Sequence, residues 1–582
     1  MRQLSNAAGH SPRLWGLVAR EIWRRARRRI RTGPVYRWRF AGRTPERVLI
    51  APPDLRLADP QIASEIYFGR FPLAGRMVDT GGRSPFEIQE ASAAWKRSLN
   101  SFRWLRHLRE AGTELAAGNA RALVGDWIAV HGSHIEGLAW EPAVTARRVM
   151  AWMQHSTVVL QGAEFSFYRA FLRSLAVQIR YLRSMAPDMP DGEERLRARI
   201  ALAFAALSLP VSTATLRSAT RNLADELDRQ ILPDGGHISR NPMAVLELLA
   251  DLLPLRQTYA NQGQTPPPAL LGATDRMLPA LRFFRHQDGS LARFNGMGAT
   301  IPDRIAAILR LDDTAGQPLL HAPHSGYERL SVGTTTVIAD TGMPRAIEVS
   351  AGAHAGCLSF EMSADRRPFI VNAGVDAYGP AEYRVLARAT AAHSTATLND
   401  TSSCRFTSSG RIQRLIGTAL VAGPKRVRVR RTDRDETQGF AAAHDGYVAP
   451  FGLVHERELS LSGDGGQLSG SDRFRRPNGQ PPRTGARDRA AIRFHIHPDT
   501  ELMRDPDDRL VLYAQGAPAW TFSCEEIAPA VEESIFFAGI SGPRRNLQIV
   551  LDVPLAQTSE VRWRFMRTEI EDAGEQGADR AQ

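Results

Sequence analysis

Three loops gather residue types suited to acid–base or ligand chemistry. The first, Leu232-Pro233-Asp234-Gly235-Gly236-His237-Ile238-Ser239-Arg240-Asn241-Pro242, sets a carboxylate, an imidazole, a hydroxyl, a guanidinium and an amide in close succession. Donors concentrated between two helices can hold an anion. The competing reading is an N-cap: Ser239 or Asn241 caps the helix beginning near Met243, with Pro242 at its first position. The second loop, residues 352–361, carries His354. The third, Arg388-Ala389-Thr390-Ala391-Ala392-His393-Ser394-Thr395, carries Arg388 and His393, and Asn372 ends an apolar run between the two loops. Two histidines at strand mouths with an amide between them have the chemistry to share a metal or flank a substrate; structural hydrogen bonding is the plainer alternative. His495 and His497 face one side of a strand without a third ligand. His131 and His134 sit in a loop. There is no phosphate-binding glycine loop, nucleophile elbow or strong zinc signature.

The elements that carry these loops divide the chain. From about residue 91 to 311 the apolar period is helical. Trp95, Leu99, Phe102, Leu105 and Leu108 mark one face, and segments 171–182, 200–209, 216–231, 243–255 and 270–284 continue the series. Short polar connections make this a helical bundle, solenoid or toroid. After Gly326 the period falls to two. Strands are predicted at 334–340, 345–350, 358–362, 369–372, 395–398, 426–430, 453–461, 491–497, 510–514 and 546–552. Strands without intervening helices indicate an antiparallel sandwich. The cysteines (Cys357, Cys404, Cys524) have neither metal-knuckle nor disulfide-framework spacing.

Charge is uneven. Of the net +12, residues 1–48 hold thirteen arginines against Glu21 and Glu46, while the remaining chain is nearly neutral. That excludes a whole-surface nucleic-acid binder. Within this arm Leu14, Val18, Ile22, Ala26 and Ile30 recur every four residues, with Trp15 and Trp23 nearby and Gly33-Pro34 as a stop. A basic amphipathic helix at residues 12–31 suits an anionic membrane surface or an acidic partner; alternatively its apolar edge packs on the body and its arginines face water. No run reaches the length of a membrane-spanning helix, and Leu14–Val18 with the charges after it does not read as a classical signal peptide.

In this order, these loops resemble the heparinase II/III family of polysaccharide lyases. The resemblance runs from about Trp95 to Asp552 and rests on residues 95–108, Trp140-Glu141-Pro142 with Arg147, residues 234–242, 354–361, 369–374 and 388–395. It implies an incomplete α/α toroid followed by an antiparallel β-sandwich, with substrate between them. The implied divisions are an arm at 1–48, a toroid at 49–320, a sandwich at 321–560 and a polar tail at 561–582. The implied chemistry is β-elimination from a uronic acid: the carboxylate is neutralised, a base takes the C5 proton and an acid protonates the leaving oxygen.

The family's zinc-ligating histidines fall on His354 and His393, and its carboxylate ligand on Asn372. Its β-domain catalytic histidine falls on Gly352, its tyrosine on Ala244, and its Asn-His segment on residues 191–195. The substitutes are Arg240 or Asn241 against the carboxylate and His237 as base, with His354 and His393 opposite. Asp234, Ser239, Arg384, Arg388 and Tyr327 contact substrate, and Tyr259 or Tyr327 takes the tyrosine's part. No cofactor is required, a structural zinc is the metal implied, and the implied partner is an acidic polysaccharide rather than nucleic acid. The resemblance places the protein in the bacterial cell envelope or periplasm, with a cytoplasmic, membrane-peripheral position as the alternative. Two other functions stay open: a catalytically silent glycan-binding or envelope-assembly protein, and a glycoside hydrolase using Asp234 and Glu361.

Overall fold

The computed structural model describes residues 12–33, 39–312, 316–344, 347–434, 436–483 and 485–568. Residues 1–11 and 34–38 of the arm, Arg345 and Ala346 of one predicted strand and residues 569–582 of the tail lie outside them.

The helical half is an incomplete α/α toroid. Its helices include Glu114–His131, Pro142–Gln154, Phe165–Met185, Glu193–Ser208, Thr213–Gln230, Pro242–Asn261 and Pro268–Phe284. They bury Trp95, Trp127, Trp140 and Trp152 completely. Each such side chain removes about 150–250 Å² from water, roughly 4–6 kcal/mol of transfer free energy before entropy is charged against it. The face predicted over 95–108 is two helices, Ala93–Asn100 and Leu105–Ala111, because Phe102 takes a left-handed φ of 57° between them. That turn stacks Phe102 on Phe86 and lays it edge-on to Trp152.

The second half is a sandwich of two antiparallel sheets, of eight and nine strands among the described residues. One sheet runs from the edge strand Val427–Arg431 through Thr437–His444, Val454–Ser462, Gln467–Arg475, Glu560–Thr568 and Ala519–Cys524 to Leu510–Tyr513 and Glu501–Arg504. The other holds Tyr327–Val332, Thr335–Asp340, Phe360–Ala364, Arg367–Val371, Arg489–Ile496 and Arg544–Pro554. Between the sheets Phe360 stacks on Trp563 at 5.6 Å.

Two expectations are corrected here. The tail does not begin at 561: Glu560–Thr568 is an interior strand paired with Gln467–Arg475 and Ala519–Cys524, and Val561, Trp563 and Phe565 fill the core. The described part of the strand predicted at 345–350, residues 347–350, lies in a 3-10 turn, Ile347–Gly352.

The arm helix is Pro12–Thr32. Leu14 and Val18 are buried against Ile412 and neighbouring apolar residues of the sandwich half. Arg27 and Arg31 reach Asp188 at 2.8 and 2.7 Å, Arg28 donates to the Trp140 carbonyl and Arg25 to that of Leu415. One helix therefore straps both halves. The predicted row of apolar residues splits: Leu14 and Val18 face the body, whereas Ile22 and Ile30 join Trp15 and Trp23 on the outside, all more than half exposed.

Candidate functional site

The three loops do converge, into a hydrogen-bonded seam between the halves. Asp234 accepts from the Ser325 amide at 2.7 Å and from its hydroxyl, pinning the turn before Tyr327–Val332. Gly235 has φ 81°, and a Cβ there would collide with the Arg276 carbonyl, so only glycine admits this approach. Arg240, itself left-handed at φ 61°, drives its guanidinium into the sandwich. It donates to the carbonyls of Ser325, Gly326 and Gly342 and pairs with Asp340. Tyr327 is fully buried, lies under that guanidinium at 4.7 Å, and donates to the Arg240 carbonyl at 2.5 Å. Asn295 completes the seam: its amide donates to the Tyr327 hydroxyl and to Asp340, and its oxygen accepts the His354 amide.

The remaining residues of the set are equally engaged. Asn241 caps Pro242–Asn261 through the Met243 amide at 2.9 Å, with Pro242 at the first position. His237 is buried. Its Nδ1 accepts the Ser239 amide, which leaves the proton on Nε2 to be donated to Gln230. Burial, aided by Arg197, pushes this imidazole down to about 3. With its lone pair occupied and so little basicity, His237 lacks what the expected proton abstraction needs. Arg388 is spent on the carbonyls of Ala353, Thr418 and Ser350 and packs on Phe406. Of the expected substrate contacts Arg384 alone is solvent-exposed, on the helix Ala381–Ala387. Tyr259 is buried on Thr220, and Ala244 is fully buried in the toroid core. Glu361 is taken by Arg293, His286 and the backbone N–H of Asn372.

His354 Nδ1 and His393 Nε2 lie 3.1 Å apart. His393 gives its Nδ1 proton to the Ala389 carbonyl, so its Nε2 is the acceptor and His354 the donor. Burial, then each other's company, holds the His354 imidazole well below its usual range. The third expected ligand, Asn372, spends its oxygen on the Ser394 amide and leaves its amide nitrogen unpartnered. Two mutually satisfied neutral imidazoles and an amide nitrogen, with no carboxylate or thiolate among them, fit zinc poorly.

Sequence reasoning missed the acids that hold the seam and the cores. Asp340 anchors Arg240. Asp472 receives Arg457, His455 and the Trp563 indole inside the sandwich. In the toroid Arg56 and Arg197 share Asp251, and Arg103 and Arg304 share Glu247. Their partners are far apart in sequence, so no local spacing announces them.

An incomplete toroid joined to this sandwich by such a seam is the polysaccharide-lyase fold, and the chain belongs to the heparinase II/III-like family. Residues 314–564 match the family model described as Heparinase II/III-like, C-terminal. Over 579 residues the chain is 31% identical to FtsZ-localized protein C of Caulobacter vibrioides, covering 97% of this chain and 95% of that one. Among solved structures, the crystal structure of heparinase III superposes with a TM-score of 0.69 at 13% identity, over 95% of this chain and 91% of the other. Heparan sulfate lyase HepC from Pedobacter heparinus gives 0.57 at 15% identity, over 96% and 88%. At such identities the likeness is one of fold.

Proposed function

We propose that this protein is a catalytically silent member of the lyase fold that works as an adaptor at an anionic membrane surface where FtsZ gathers. One observation carries the reading: the arm helix is docked by one face and displays a membrane-seeking stripe on the other. Trp15, Ile22, Trp23 and Ile30 follow the i, i+7, i+8, i+15 spacing of a single helical face, and Arg20 and Arg29 flank it, all exposed. Apolar and aromatic residues bordered by arginines seat a helix in the headgroup region. No helix among the described residues is long and apolar enough to cross a membrane, so the helix would lie on the surface. Catalytic silence is supported by the seam, where the candidate base His237 is already taken up by Gln230 and Ser239, and Arg240 and Arg388 already serve backbone carbonyls and, for Arg240, Asp340. The FtsZ association rests on the name of the Caulobacter relative, whose likeness spans nearly the whole chain.

Two measurements test it. The chain should co-sediment with phosphatidylglycerol vesicles and not with phosphatidylcholine, and Trp15→Glu/Trp23→Glu should abolish this. Heparin, hyaluronan, alginate and bacterial exopolysaccharides should give no ultraviolet absorbance from an unsaturated product. Turnover of any of them by the folded protein, or vesicle binding indifferent to the two tryptophans, would overturn the reading.

A further inference from the structure

The outer face of the eight-stranded sheet carries a groove of about 890 Å³ whose lining includes no residue of the seam or of the arm helix. Its floor is Ala441 and Ala443. The register sets Ala443 between Arg428 and Glu456, and Ala441 between Arg430 and Glu458. Two small side chains between rows of long ones make a trough along Thr437–His444. On the far wall Arg475 and Arg473 already have Glu456 as a partner. On the near wall Arg426, Arg428 and Arg430 are exposed, and no ion pair joins them to a carboxylate among the described residues.

Arg428 and Arg430 belong to Val427–Arg431, the edge of the sheet, and Arg426 immediately precedes it. Hydrogen bonds from Thr432 N–H to the Gly439 carbonyl (2.8 Å) and from Asp445 N–H to the Arg426 carbonyl fix the parity of the ladder. The backbone N–H and C=O groups of the even-numbered residues of this strand point at Thr437–His444. The N–H and C=O groups of Val427 and Val429 therefore point away from the sheet, with no backbone partner on that side among the described residues. Nucleobases and sugar faces are held by stacking on aromatic rings, and the groove has no Phe, Tyr or Trp in its lining, only the buried His444. An open edge bordered by unpaired arginines instead matches an extended chain bearing carboxylates.

We propose that this edge binds an acidic, extended peptide segment of a partner protein by strand addition. The segment's backbone pairs with Val427 and Val429, and its Asp or Glu side chains reach Arg428 and Arg430. The inference goes beyond the membrane reading and does not depend on it. The probe is a fluorescein-labelled decapeptide of alternating Glu and Val, titrated with the full chain at about 0.15 M salt and followed by anisotropy. A Lys-Val counterpart, an oligothymidylate and a heparin oligosaccharide are run beside it. The acidic peptide should bind and the Lys-Val peptide should not. Arg428→Glu/Arg430→Glu should weaken binding by about tenfold or more. Val429→Pro should do likewise, because it removes an outward N–H without touching the inward ladder. Arg509→Glu, an exposed arginine on the same sheet's far side, should change nothing. Circular dichroism and vesicle binding of the edge variants should stay as in the parent, which separates failure here from failure of the membrane reading. Tighter binding of the oligothymidylate or heparin, no binding of the acidic peptide, or indifference to either edge change would overturn the proposal.

Discussion

Asp472 is fully buried, and its partners decide what it contributes. Burial alone would raise its carboxyl, but Arg457 and then His455 hold it well below the usual carboxylate range. Asp472→Asn would leave Arg457 buried among Phe360, Trp563 and two carbonyls with its charge uncompensated. A loss of about 3–5 kcal/mol is expected, read as a lower denaturant midpoint at unchanged slope. The buried histidines act in another pH window. His237 and His495 both fall to about 3 on burial, against about 6.5 in an unfolded chain. Between those values the unfolded chain binds protons that the folded one refuses, so stability is full above about pH 6.5 and declines as pH falls toward 3. His237→Gln should cut the protons taken up on unfolding at pH 5 by about one, measured from the pH dependence of the unfolding free energy. The residue scale is also where the sequence was least informative. It displays donors such as His237, Arg240 and Arg388 but not the carbonyls and carboxylates, eighty or more residues away in the case of Arg240, that consume them.

At the scale of elements, periodicity was legible because it is a local property. Helices over 216–231 and 270–284, and strands over 453–461 and 546–552, emerge within a few residues of their expected limits. What escaped were elements whose pattern is broken by a second demand. Glu560–Thr568 alternates buried Val561, Trp563 and Phe565 with exposed Arg562 and Arg564, and its arginines made it read as a tail. The arm helix was legible as amphipathic, but a sequence cannot say which apolar residues are spent on the body. Leu14 and Val18 are, and Trp15 and Trp23 are not. This division predicts different outcomes for neighbouring positions. Trp23→Glu should leave the unfolding free energy within the scatter of surface changes, about ±0.5 kcal/mol, while removing vesicle binding. Leu14→Asp buries an unpaired charge against Ile412 and should free the helix from the sandwich, detected as new protease sensitivity within residues 12–32.

Across the whole molecule, the two halves have separate hydrophobic cores that are nevertheless stitched together. The toroid cluster already includes Tyr327 and Ile338 from the first sandwich strands, and the Arg240–Asp340 pair crosses the same boundary. The arm helix adds a second tie, through Asp188 on one side and Leu415 on the other. A chain of this length would ordinarily unfold domain by domain. Here the seam makes each half a ligand of the other, and a partner that binds only the folded state raises stability by mass action. Calorimetry of the parent should therefore give a single transition. Asp340→Asn withdraws the carboxylate from Arg240 and one acceptor from Asn295, yet leaves both hydrophobic cores untouched. The expected result is two resolved transitions whose summed enthalpy stays close to the parent's, the earlier one lowered by several degrees. Had the seam been an open catalytic cleft with water between the halves, the same substitution would leave the number of transitions unchanged, so the calorimetric trace separates a cleft from a weld.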